Sequence, residues 1–134
     1  MNDRTVLTEA AAAEEFARAW NRLECAELLQ LLAPDATYSS FWVFADLEGR
    51  DAISAYLTGK MRTVAASNQR VYAELATTTK GFDGPGKACV ALAQGNKEIV
   101  STIATFEVEE GMLKRIDLSH PEFFAASRSG AYPS

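Results

Sequence analysis

The sequence predicts an α+β fold in which a mainly antiparallel sheet is covered on one face by helices. Apolar residues at helical spacing come first, over 8–32, and return over 49–66. Apart from one early run at 36–44, the β-prone runs cluster afterwards, from 69 to 120. The turns between those later runs are too short for the helical crossovers that a parallel sheet requires, so neighbouring strands must reverse direction.

Thr8 can accept a hydrogen bond from the first free amides of a helix, and Glu9 in the first turn suits the positive end of its dipole. Ala12, Phe16, Trp20 and Leu23 then share one face, which predicts a core or pocket wall. Leu23-Glu24 marks a break. Leu28, Leu29, Leu31 and Leu32 predict a short second helix that Pro34 stops, and Asp35 opens a turn. Ala36 to Phe44 is aromatic and β-prone, with Tyr38, Ser40, Trp42 and Phe44 on one side and Thr37, Ser39, Phe41 and Val43 on the other. Gly49 and Asp51 open a third helix in which Ile53, Leu57, Met61 and Val64 repeat as far as Ala66. Gln69 to Lys80 and Ala88 to Ala93 read as strands, separated by the glycine-rich loop 81–86. Lys97 to His120 then reads as a long hairpin turned at Glu110-Gly111. Ser119-His-Pro-Glu122 fits a capping box that puts Phe123 and Phe124 on a helical turn, and the final residues, 125–134, are expected to form a flexible tail.

Length and charge narrow the function. A chain of 134 residues suits one domain, with its core over about 8–124. Hydrophobic residues at 48% and charged ones at 23% are ordinary for a globular protein. The 13 basic and 18 acidic residues balance to −5 with no basic stripe, which disfavours nucleic acid and anionic lipid. No apolar leader or membrane-length run occurs, so the expected address is the cytoplasm, where Cys25 and Cys89 are expected to stay reduced.

Ala-Pro-Asp-Ala-Thr-Tyr at 33–38, Glu-Gly-Arg-Asp-Ala-Ile at 48–53 and Thr-Phe-Glu-Val-Glu-Glu-Gly-Met-Leu at 105–113 carry a resemblance. Together with the order of elements, they resemble the nuclear transport factor 2-like superfamily, and its SnoaL-like branch most. The resemblance spans residues 8 to about 124. It implies a strongly curved sheet wrapped around the N-terminal helices as a cone, the cystatin-like roll, with an apolar pocket at its open end and dimers formed through the outer face. It also implies a choice among steroid isomerases, polyketide cyclases, dehydratases, epoxide hydrolases and proteins without catalysis. The isomerase set needs a carboxylate base after the first strand, a tyrosine on the first helix and a buried acid on the penultimate strand. Those places hold Ser40, Phe16 and Ala104, which can neither shuttle the substrate proton nor stabilise an enolate.

The candidate chemistry is correspondingly thin. His120 is the only imidazole, and if it shares the concave face with Ile116 and Leu118 it is a possible general base; a capping or surface histidine is the plain alternative. Asp46, in the loop before the third helix, is the other candidate base, against a solvated loop charge. Asp117 would need a bulge to reach His120. Trp20, Tyr38, Trp42, Phe106 and Phe123, with Tyr56, Met61 and Leu118, are candidate ligand contacts, to which Ser40 and Thr102 add hydroxyls. Ordinary core packing competes for each aromatic residue. The segment 81–87 matches the glycine and lysine spacing of a phosphate loop, but Ala88 replaces the hydroxyl residue and a strand follows. No ligand spacing for a metal is present, and no cofactor is expected. The sequence therefore predicts a homodimeric protein that binds or transforms a small, largely apolar molecule, with a ligand-binding or dimerisation module without catalysis as the alternative.

Overall fold

The computed structural model describes residues 7–41, 45–80, 84–122 and 125–134. Its elements are α1 (Glu9–Arg22), α2 (Ala26–Leu31), β1 (Leu32–Ser40), β2 (Leu47–Glu48), α3 (Arg50–Ala66), β3 (Val71–Lys80), β4 (Ala88–Gln94), β5 (Thr102–Glu109), β6 (Met112–Ser119) and β7 (Ala125–Arg128). The strands form one curved sheet in the order β2-β1-β6-β5-β4-β3-β7. Every pairing is antiparallel except that of β1 with β6.

The Thr8 hydroxyl accepts from the Ala11 amide at 3.0 Å and starts α1, and Leu23, in the left-handed conformation at φ 57°, ends it. The face between them is the one that Phe16 and Trp20 mark. Phe16 packs edge-on against Phe106 of β5, with ring centroids 5.2 Å apart, at the middle of a core closed by Leu28, Ile53, Leu57, Leu113 and Ile116. Burying side chains of this size is the main term holding helix to sheet, about 1.5–3 kcal/mol for each.

Register irregularities lie between Leu32 and Thr37 and between Glu107 and Val108, and such bulges bend and twist the strands that contain them. Pro34 falls inside the first of these, where the ladder needs no amide from it. Contrary to the expected turn at Asp35, β1 therefore starts at Leu32 and runs through Pro34. The carbonyl of Leu32 instead accepts from the Arg50 guanidinium at 2.7 and 3.1 Å, tying the start of α3 to the start of β1. The described strand stops at Ser40; the expected continuation at 42–44 lies outside the described residues.

The hairpin turns at Glu110 and Gly111, whose φ angles of 53° and 77° are the paired left-handed conformations of a two-residue turn. Its first strand begins at Thr102 rather than Lys97. Asn96 turns the preceding segment by accepting from the Glu98 amide, and Ser101 bonds back to the Leu92 carbonyl.

The C-terminal segment departs most from expectation. Instead of a flexible tail, Ala125–Arg128 pairs with β3 as an edge strand. Beyond it, the Leu75 amide donates to Ala131 and the Asn21 side-chain amide donates to the Pro133 carbonyl. The anchor is Glu74, whose side chain is 4% exposed and takes the Arg128 guanidinium at 2.6 Å and the Gly130 amide at 2.6 Å. The expected capping box is replaced as well. The Glu122 amide donates to His120 Nδ1 at 3.0 Å, while Phe123 and Phe124 lie outside the described residues.

Candidate functional site

Between α1, α3 and the inner face of the sheet lies a cavity of about 370 Å³, within the size range of small-molecule sites. Strand β1 contributes Tyr38 and Ser40, whose side chains point inward because alternation carries Ala36 to the same side. α3 contributes Tyr56, Lys60 and Val64, four residues apart and so stacked along one stripe. Trp20 closes the wall from α1, and Val71, Leu92 and Leu118 line it from the sheet. Thr102 reaches the cavity from the start of β5, with Ser101, Ala93 and Gln94 beside it. Lys60, Gln94 and Ser101 are exposed, whereas Trp20, Tyr38, Ser40, Thr102 and Leu118 are buried. The polar rim and the apolar interior thus divide the cavity.

Tyr38 and Tyr56 set its chemistry. Their ring centroids are 5.5 Å apart at an interplanar angle of 49°. Burial holds the Tyr38 phenol well above its ordinary pKa, reinforced by the neighbouring Tyr56, and burial raises Tyr56 as well. Both are neutral donors at physiological pH, as an ordinary phenol is, and burial extends that range upward. Neither hydroxyl has a hydrogen-bond partner among the described residues. The indole Nε1 of Trp20 is buried and likewise unpartnered among them. No carboxylate or imidazole lines the cavity among the described residues. The arrangement can polarise or hold an oxygen, but it offers no ordinary acid–base pair.

Of the residues singled out from sequence, Trp20, Tyr38, Ser40, Tyr56, Thr102 and Leu118 come together here. Met61 and Phe106 do not. Both are core residues, since the Ile53, Leu57, Met61 stripe of α3 points beneath the cavity and Phe106 is spent on Phe16. Trp42 and Phe123 lie outside the described residues.

His120 and Asp46 do not line the cavity either. His120 follows the last residue of β6, so strand alternation no longer directs it inward; it is exposed, with its ring centroid 5.4 Å from that of Phe41. It borders a shallow surface depression with Ser39, Asp117 and Glu122. Asp46 is exposed and 3.9 Å from Arg115. Asp117, the suggested orienting partner of His120, accepts from Arg115 Nε with both oxygens at 3.0 Å. Lys60, Gln94 and Ser101 were not anticipated. The four-residue spacing of Lys60 from Tyr56 was a usable signal, whereas Gln94 and Ser101 depend on the β4–β5 register.

Residues 13–116 match the SnoaL-like domain. The chain belongs to that family. Its fold recurs in solved structures. An NTF2-like protein of unknown function from Mesorhizobium loti superposes with a TM-score of 0.62 at 14% identity, covering 90% of this chain and 96% of that one. A SnoaL-like protein of unknown function from Burkholderia thailandensis gives 0.58 at 17% identity, covering 87% and 98%. A candidate polyketide cyclase from Sinorhizobium meliloti gives 0.57 at 17% identity, covering 81% and 93%. At these identities the likeness is one of fold. No curated protein matches the chain. Among the described residues, no helix of this SnoaL-like chain is long and apolar enough to cross a membrane.

Proposed function

We propose that this SnoaL-like protein binds a small, largely apolar molecule carrying a hydrogen-bond-accepting oxygen. The observation that carries the reading is the pair Tyr38 and Tyr56, two phenols without partners among the described residues, in the wall of the 370 Å³ cavity. Both phenols line the cavity, where a ligand oxygen can accept from them, each such hydrogen bond contributing about 0.5–1.5 kcal/mol. Trp20, Val64, Val71, Leu92 and Leu118 supply apolar area for the rest of the molecule. An open cavity favours this reading over a dimerisation domain, whose cone would be filled by its own side chains.

Binding is favoured over turnover because a cyclase or isomerase reaction needs a group that takes the substrate proton, and the described lining holds neither carboxylate nor imidazole. Assembly as a homodimer and a cytoplasmic location belong to the same proposal, the first read by sedimentation of the purified protein and the second by cell fractionation. The binding experiment follows tryptophan fluorescence during titration with a panel of bicyclic aromatic ketones and phenols. Saturable quenching at micromolar concentration, weakened by Tyr38→Phe, is the expected result. A panel without any saturable member overturns the proposal.

A further inference from the structure

We infer that the ligand of this cavity is a monoanionic amphiphile, an apolar or aromatic body ending in a carboxylate that rests at the rim on Lys60. The inference rests on the binding function proposed above and names the ligand class. Lys60 occupies the α3 stripe between Tyr56 and Val64, a position where every other member faces the cavity with an aromatic or apolar side chain. Its side chain is exposed, so the ammonium stands at the solvated mouth of the cavity and not in its interior. It makes no ion pair or hydrogen bond among the described residues, in contrast to Lys114 and Arg115, which are held by Asp35 and Asp117.

The surrounding charge makes Lys60 distinctive. The chain as a whole carries −5, yet Lys60 is the one charged residue lining the cavity among the described residues. The one charge lining the cavity is therefore positive on an acidic protein. Gln94 shares that rim and can donate an amide N–H to the same group, while the Ser101 hydroxyl beside it donates to the Leu92 carbonyl at 3.4 Å. One cation with one neutral donor matches a single negative charge. A phosphate dianion would be left half-compensated and is better served by the forked donors of arginine. Inward of the rim the lining changes to Tyr38, Trp20 and Leu118, so the head and the body of the ligand are sorted by depth.

The test compares matched acids and primary amides of one skeleton, such as 2-naphthoic acid with 2-naphthamide and indole-3-acetic acid with indole-3-acetamide, by isothermal titration at low and high salt. The acid of each pair is expected to bind the wild-type protein about fivefold more tightly, near the upper end for an ion pair at a solvated rim, and to lose that advantage in high salt. Lys60→Met removes the preference of acid over amide, and a circular dichroism spectrum and melting temperature matching the wild type show that the variant is folded. Lys60→Arg retains the preference. Equal binding of acid and amide, or a preference that survives Lys60→Met, overturns the anionic class while leaving the binding function in place. Failure of both acid and amide to bind overturns the two together.

Discussion

Tyr38 on β1 and Tyr56 on α3 meet with ring centroids 5.5 Å apart, which joins strand and helix directly over the cavity. Neither hydroxyl is used by the described protein. A contact of rings without a hydrogen bond separates the structural role of Tyr38 from its ligand role. Tyr38→Phe keeps the ring pair and is expected to change unfolding free energy by less than about 1 kcal/mol, since no protein hydrogen bond is lost. Affinity for an oxygen-bearing ligand is expected to fall about tenfold, the worth of one hydrogen bond made in a desolvated site. Urea denaturation and fluorescence titration of the same preparation check the two halves.

Glu74 and Arg128 are expected to decide whether the C-terminal segment stays attached. Glu74 is nearly fully buried, so Arg128→Ala leaves a carboxylate with only the Gly130 amide to stabilise its charge. Breaking one side of such a pair costs several kcal/mol when both partners are buried, but Arg128 is partly solvated, so about 2 kcal/mol is expected. Chemical denaturation measures it, and limited proteolysis should cut near residues 125–134 first. A loss below about 0.5 kcal/mol would show that β7 is held by its ladder alone.

Alkaline stability follows from Cys89. Burial on the outer side of β4 pushes its thiol from 9.0 to about 11, so the folded protein retains a proton that the unfolded chain has already released. Protons bound in the native state exceed those in the unfolded state over that interval, and stability therefore falls as pH rises from 9 to 11, with the full value present below pH 9. The raised phenols of Tyr38 and Tyr56 act in the same direction above pH 10. Cys89→Ala is expected to flatten the first part of the decline in a pH series of thermal melts. An unchanged slope between pH 9 and 11 would contradict it.

Trp20 contains a buried indole N–H without a partner among the described residues. Substituting phenylalanine removes that unmet donor along with part of the ring, two effects of opposite sign. Trp20→Phe is expected to cost about 1 kcal/mol, well short of the 3–5 kcal/mol of truncating a core aromatic to alanine. Thermal unfolding of Trp20→Phe beside Trp20→Ala gives the comparison.

The periodic features were legible from sequence alone. Thr8 and Leu23 bracket α1, Ser67 ends α3, and Glu110-Gly111 fixes the hairpin, because caps and left-handed turns are satisfied within a few residues. Alternation along β1 also put Tyr38 and Ser40 on one face together, and the first-helix stripe put Trp20 on a core or pocket wall. What pattern could not supply was the meeting of distant segments. Lys60 became a rim residue because α3 packs across the sheet, Gln94 and Ser101 because of the β4–β5 register, and His120 left the inner face because β6 ends one residue before it. The C-terminal residues read as a polar tail because their partners are Glu74 and Asn21, more than fifty residues away in the chain. Local chemistry determined the elements, and long-range packing alone decided which of their side chains share the cavity.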